Sequence, residues 1–194
     1  MMIFRYLKGS PHIGITYQQV QGTDTPLLFA YTDAEWGTAD IDKRRSVTGF
    51  IVYLAGGLIA WRTKFAVPTA SIFEAEYYAS GDGAKEVVGN RHLLSELAPI
   101  HFNASEPTTI FGDNNATVEA ARTPKFHGRA KHIDIKHHFL RHLCEQNHIR
   151  FQHIQRDDNL ADMMVKPQTR ATFRKFRYRM MQEIHRRPSL HRST

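Results

Sequence analysis

The chain has 194 residues, 41% of them hydrophobic, which suits one domain with short appendages and excludes a chain disordered by composition. Its single cysteine, Cys144, excludes an intramolecular disulfide and a cysteine-based metal site, and no apolar run approaches a membrane span or a secretory signal. The net charge of +7 lies at the C-terminus: from Arg170 onward eight Lys and Arg face one acidic residue, Glu183, and the residues before Arg170 are neutral overall. Such a basic tail is a generic polyanion binder, and it is also commonly no more than a solvated tail.

Ile3-Phe4-Arg5-Tyr6-Leu7 allows a helical turn or two, stopped by Gly9, Ser10 and Pro11. Residues 18–25 are polar and turn-rich, so 1–24 read as the end of a preceding unit and a linker. Residues 27–32 then predict a central strand. Side chains alternate in a strand, so Leu27, Phe29, Tyr31 and Asp33 share a face, with Asp33 at the carboxyl end. A carboxylate there needs a cation or donors to offset its desolvation; the plainer reading is an Asp that opens a loop. After a charged loop at 40–45, residues 46–54 predict a second strand, Gly56-Gly57 a hairpin turn, and 58–63 the returning strand. All three are expected to be antiparallel.

Ser71-Ile72-Phe73-Glu74 has the capping-box pattern and opens a helix that runs to about residue 97. Glu76 shares a face with Ala79, Gly83, Ala84 and Val87, a small face able to lie close against a sheet. Glu74 shares its face with Tyr77, Tyr78 and Lys85 and reads as the outward one. Residues 108–112 predict a strand ending in Asp113. A crossover helix precedes it, so this strand should run parallel to the first and bring Asp113 near Asp33. Asp113 is equally suited to cap the following helix.

Residues 126–142 begin as a loop and continue into a helix from about 134 to 145. His138 and His142 have i, i+4 spacing, which suits zinc, but no HExxH glutamate and no nearby cysteine accompany them. Arg129, Lys131, His132 and Lys136 read instead as contacts to phosphate or to solvent. A strand at 149–154 follows, then a short helix at 160–165 with Asp162 in its first turn, where the helix dipole alone would favour a carboxylate. The tail from 169 to about 185 predicts a basic helix.

The order is β-β-β-α-β-α-α-β-α, with Asp33, Glu76, Asp113 and Asp162 at strand ends or first helical turns. Open α/β sheets place sites at the carboxyl ends of their strands. Converging carboxylates repel one another unless cations neutralise them, and oxygen-rich clusters favour Mg²⁺ or Mn²⁺. Two such ions about 3.5–4 Å apart can activate water and stabilise the leaving oxygen of a phosphodiester.

Residues 27–167 resemble the ribonuclease H domain of Ty1/copia-type retrotransposon polyproteins. The matching stretches are Tyr31-Thr32-Asp33-Ala34-Glu35-Trp36, Lys43-Arg44-Arg45-Ser46-Val47-Thr48-Gly49-Phe50, Glu74-Ala75-Glu76-Tyr77, Asp113-Asn114-Asn115-Ala116, Lys131-His132-Ile133-Asp134-Ile135 and Leu160-Ala161-Asp162-Met163-Met164-Val165-Lys166-Pro167. Arg5-Tyr6-Leu7-Lys8-Gly9 is similar to the segment that joins reverse transcriptase to ribonuclease H in that family.

The resemblance implies an α/β, ribonuclease H-like fold: a five-stranded mixed sheet, three antiparallel strands then two parallel, flanked by helices. It implies a linking remnant at 1–24, a catalytic domain at 25–167 and a basic tail at 168–194. It implies hydrolysis of the RNA strand of RNA–DNA hybrids during reverse transcription. Asp33, Glu76, Asp113 and Asp162 would be the catalytic, metal-binding carboxylates for Mg²⁺ or Mn²⁺, as two ions. Asn114 and Asn115, with Arg129, Lys131, His132 and Lys136, would meet the nucleic acid. Discrimination would rest on the ribose 2′-hydroxyl and groove shape. The implied partners are the hybrid and a reverse transcriptase domain in the parent polyprotein. The implied setting is cytoplasmic virus-like particles, with the nucleus as a second setting, not secretion and not a membrane. Where many family members have Ser-Ser-Thr before Glu-Ala-Glu-Tyr, this chain has Ser71-Ile72-Phe73. Three other readings stay open: a transposon-derived domain that binds nucleic acid without cutting it, an interaction domain docked through its tail, and a DNA nuclease of the same fold.

Overall fold

The computed structural model describes residues 2–17, 26–37, 45–66, 69–122 and 131–183, without the side chains of Met2, of 120–122, of 131–137 and of 182–183. The elements are α1 (Met2–Gly9), β1 (Ile13–Gly14), β2 (Leu28–Glu35), β3 (Val47–Leu54), β4 (Gly57–Phe65), α2 (Ile72–Leu97), β5 (Thr108–Gly112), α3 (Asn115–Arg122), α4 (Lys131–Glu145), β6 (Ile149–His153), a 3₁₀ turn (Arg156–Asp158), α5 (Asp162–Val165), α6 (Arg170–Met180) and β7 (Gln182–Glu183).

Five strands form one sheet in the order β4-β3-β2-β5-β6. The β2–β3 and β3–β4 pairs are antiparallel, and β2–β5 and β5–β6 are parallel. This is the mixed α/β sheet expected from the sequence. The central strand is buried on both faces, which explains why its sequence is an apolar run rather than an alternation. Leu28 and Ala30 face α2 and α4 together with Phe50, Val52, Tyr77, Val87 and Leu140. Phe29 and Tyr31 face the other way, against Ile51, Tyr53, Leu160 and Phe176. α5 and α6 therefore close the second face of the sheet.

Several readings differ in the structure: α4 begins at Lys131 rather than at about 134, and the β3–β4 turn is Ala55-Gly56 rather than Gly56-Gly57. β2 continues through Asp33 to Glu35, because Ala34 and Glu35 still pair with Thr48 and Val47. Asp33 is thus inside the ladder rather than at its end. The α2 face carrying Glu74 and Tyr77 is buried rather than outward. There Glu74 does the capping work expected of it: Ala70 N donates to its carboxylate at 2.6 Å, and Glu74 N donates to Ser71 Oγ at 3.1 Å.

The terminal segments meet. β1 pairs with β7, and Tyr6 packs edge-on to Phe173 with ring centroids 5.9 Å apart. Residues 18–25 and 40–44, read as linker and charged loop, lie outside the described residues apart from Arg45 at the loop's end. Among the described residues no helix is long and apolar enough to cross a membrane.

Candidate active site

Asp33 is 1% exposed, and its neighbours along β2 are buried as well. Across the ladder it faces Gly49. A Cβ on Gly49 would come within 2.7 Å of Met164 Cβ and 2.9 Å of Val165 Cγ1, so α5 lies directly on this glycine. The missing side chain lets α5 and the residue after it come down beside Asp33.

Glu76 reaches the same place from α2. The helix approaches closely at its small residues: Ala75 and Ala79 pack on Ala34, and a Cβ on Gly83 would meet Thr32 Cγ2 at 2.6 Å. The small face read from the sequence is the one turned toward the sheet. Glu76 is 6% exposed and hydrogen-bonds the backbone N–H of Ala34.

Asp113 follows β5. The parallel register pairs Tyr31 with Phe111, so the two chain directions agree and Asp113 arrives level with Asp33. The cap of α3 is Asn114 rather than Asp113: its Oδ1 accepts from Ala116 N at 3.0 Å and Thr117 N at 3.2 Å. Asp113 is thereby left to face the centre, where Arg156 Nε lies 3.5 Å from its Oδ2.

One carboxylate oxygen from each of Asp33, Glu76 and Asp113 lies within 4.8 Å of the others. Among the described residues this is the one group of acidic or imidazole side chains so arranged, and the helical histidines His138 and His142 form no such group. Burial pushes Asp33 up to about 7; Lys166 works against the rise, and Asp113 and Asp162 add to it. Burial likewise raises Glu76 well above the ordinary carboxylate range, with Asp33 and Asp113 adding to it. Lys166 offsets this rise in part, and a further cation would offset more of it. Asp33 Oδ1 is also buried and has no hydrogen-bond partner. An all-oxygen donor set with one orphaned oxygen fits a hard divalent cation.

Asp162 is placed differently. It opens α5 with its carboxylate engaged at both oxygens: Lys166 Nζ donates to Oδ1 at 2.7 Å, and Gln168 Nε2 to Oδ2 at 2.5 Å. Lys166 Nζ also lies 3.4 Å from Asp33 Oδ2 and 3.3 Å from Glu35 Oε2. Burial alone would lower the pKa of that ammonium, but Asp33, Asp162 and Glu35 outweigh burial and raise it. Asn159, fully buried, pins this segment to the sheet: its Nδ2 donates to Thr32 O at 3.0 Å, and its Oδ1 accepts from Ala161 N at 3.2 Å.

Three of the four acids singled out in the sequence therefore converge, and the fourth stands behind Lys166. Asn114 and Asn115 sit at the start of α3 beside the cluster. Arg129 lies outside the described residues, as do the side chains of Lys131, His132 and Lys136, whose backbones form the first part of α4. Lys166, Asn159, Gly49 and Arg156 were not singled out in the sequence. Gly49 and Lys166 lie inside the stretches that carry the resemblance, and Lys166 also has i, i+4 spacing from Asp162, but no role was attached to either.

No family model matches the chain. It is 31% identical over 172 residues to the retrovirus-related Pol polyprotein from transposon TNT 1-94 of Nicotiana tabacum, covering 88% of this chain. It is 35% identical over 175 residues to that from transposon RE2 of Arabidopsis thaliana, covering 90% of this chain. The chain spans 12% of the length of each of these relatives. Among solved structures, LC11-RNase H1 in complex with an RNA/DNA hybrid matches with a TM-score of 0.51 at 17% identity, over 71% of this chain and 93% of that one. The protease-reverse transcriptase of prototype foamy virus matches with a TM-score of 0.53 at 15% identity, over 78% of this chain and 22% of that one. Over 88–90% of its length the chain is thus a relative of retrovirus-related transposon Pol polyproteins of the Ty1/copia type, and it carries the ribonuclease H fold.

Proposed function

We propose that this chain is a metal-dependent endonuclease that hydrolyses the RNA strand of RNA–DNA hybrids, as the ribonuclease H part of a transposon polyprotein. The observation that carries this reading is the convergence of Asp33, Glu76 and Asp113, from three separate elements, within 4.8 Å. An orphaned buried oxygen on Asp33 supports a cation there.

Asp33, Glu76 and Asp113 would hold Mg²⁺ or Mn²⁺. Such an ion, when bound, lowers the pKa of water and stabilises charge on the phosphate oxygens. The rest of the work falls to side chains. Asn114 spends its Oδ1 on the α3 cap, so its amide group is the part that would meet a ribose 2′-hydroxyl or a phosphate. Arg156 is largely exposed beside Asp113 and would orient the strand entering the site. In this reading residues 1–24 join a reverse transcriptase domain, 25–167 form the catalytic domain, and 168–194 are a basic tail for the hybrid. The setting would be the cytoplasmic particle in which reverse transcription proceeds, with the nucleus as a second setting.

The test is cleavage of a strand-labelled RNA–DNA hybrid in Mg²⁺ and in Mn²⁺, wild type beside Asp113→Asn. Cutting confined to the RNA strand, dependent on metal and lost in the variant, is the expected result. A folded wild type that binds hybrid and leaves it intact would move the chain to the non-cutting, nucleic-acid-binding reading.

A further inference from the structure

The four acids of this centre invite two divalent ions, but the chain already places a cation of its own among them. Lys166 Nζ has three N–H donors. It meets three carboxylates: Asp162 at 2.7 Å, Glu35 at 3.3 Å and Asp33 at 3.4 Å. Its side chain is 21% exposed, so the charge is largely removed from water and cannot be replaced cheaply by solvent. Both oxygens of Asp162 are already engaged, Oδ2 by Gln168 and Oδ1 by Lys166, so a further ion would have to compete with these donors. Asp33 is divided. Its Oδ2 faces the ammonium, and its Oδ1 is the buried oxygen without a partner. Asp33 and Asp162 would be the residues left to hold a second divalent ion, and the ammonium already contacts both.

We infer that Lys166 serves as the second cation of the centre, so that the protein takes up one divalent ion, at Asp33, Glu76 and Asp113, rather than two. This rests on the metal-binding reading of those three residues. Lys166 is a positioning residue: its ammonium neutralises Asp33 and Asp162 together and holds Asp162 away from the divalent ion. Its place is secured by structure on both sides. Asn159 anchors the segment to Thr32, and Gly49 leaves room for Met164 and Val165 just before it.

The experiment is a titration of the full chain with Mn²⁺, free ion being followed by electron paramagnetic resonance, for wild type, Lys166→Met and Lys166→Arg. One Mn²⁺ per wild-type chain, two per Lys166→Met chain and one per Lys166→Arg chain are expected. Two ions in the wild type would overturn the inference and leave the nuclease reading standing. One ion in both wild type and a folded Lys166→Met would do the same, since the ammonium would then exclude nothing. No ion bound by folded wild type would remove the metal site itself, and the inference with it. Should Lys166→Met fail to fold, the wild-type stoichiometry remains decisive, because two ions there are incompatible with an ammonium in the second place.

Discussion

Gly49 stands directly across the β2–β3 ladder from Asp33, and α5 rests on the space where a side chain at Gly49 would be. Two positions that look unrelated in sequence are thus one packing unit. Adding a methyl group there pushes α5 away and with it the cation and acid that flank Asp33. Gly49→Ala is expected to cost about 1–3 kcal/mol, the range for overpacking a tight contact. Gly89, exposed on α2 with nothing within 4 Å of its would-be Cβ, provides the contrast. Gly89→Ala should gain about 0.5–1 kcal/mol through helix propensity. Urea denaturation midpoints of the two variants should move in opposite directions.

The raised pKa of Asp33 fixes the sign of a pH effect. Its carboxyl titrates at about 7 in the folded chain, against an ordinary 3.8. The folded state therefore holds this proton more tightly than the unfolded state does. Stability from this group is present at low pH and is lost as pH rises from the ordinary value through 7. In EDTA the thermal midpoint should fall between pH 5 and pH 8, and Asp33→Asn should flatten that fall. Mn²⁺ should restore the midpoint more at pH 8 than at pH 5. A wild type and Asp33→Asn with parallel pH profiles in EDTA would show that Asp33 is not strained.

Asn159 is an anchor whose loss is easy to measure. Removing its amide leaves Thr32 O and Ala161 N without their partners in a buried place. Asn159→Ala should destabilise the chain by about 1–3 kcal/mol. Because α5 then loses its register on β2, hybrid cleavage should drop further than hybrid binding. An equal loss in both would mean that Asn159 acts only on global stability.

The outer side of α6 carries Arg170 and Arg174, both exposed, while Lys175 and Arg179 are drawn to Asp158 at 3.5 and 2.9 Å. If the hybrid runs along this helix, Arg170 and Arg174 are the side chains that reach phosphate. Arg170→Ala with Arg174→Ala should weaken hybrid binding and make the salt dependence shallower by roughly two counterions. An unchanged slope would assign the tail to protein contacts.

Much of this architecture was legible in the chain itself. The β2 run and the Ser71 cap are local signals that the structure follows, and the hairpin forms one residue earlier than read, with Ala55 and Gly56 at positive φ and Gly57 already opening β4. Glu76 was legible because helical spacing put it on the same face as Ala79 and Gly83. Asp113 was legible because a crossover connection forces a parallel neighbour. Lys166 was not, because its partners Asp33 and Glu35 come from the far end of the sequence and only the fold brings them together. The burial of Glu74 and Tyr77 was missed for a related reason: α2 is covered on more than one side, and a single-face reading assigns the second face to solvent. The pairing of β1 with β7 joins two segments whose composition suggested separate appendages.

Asp33 and Lys166 are separated by 133 positions in the chain. During synthesis the three acids of the cluster leave the ribosome well before their counter-charge does. A chain truncated anywhere between Asp113 and Lys166 would present bare, mutually repelling acids and no finished centre. The centre is thereby tied to completion of nearly the whole domain, and an interrupted translation product is left chemically incomplete.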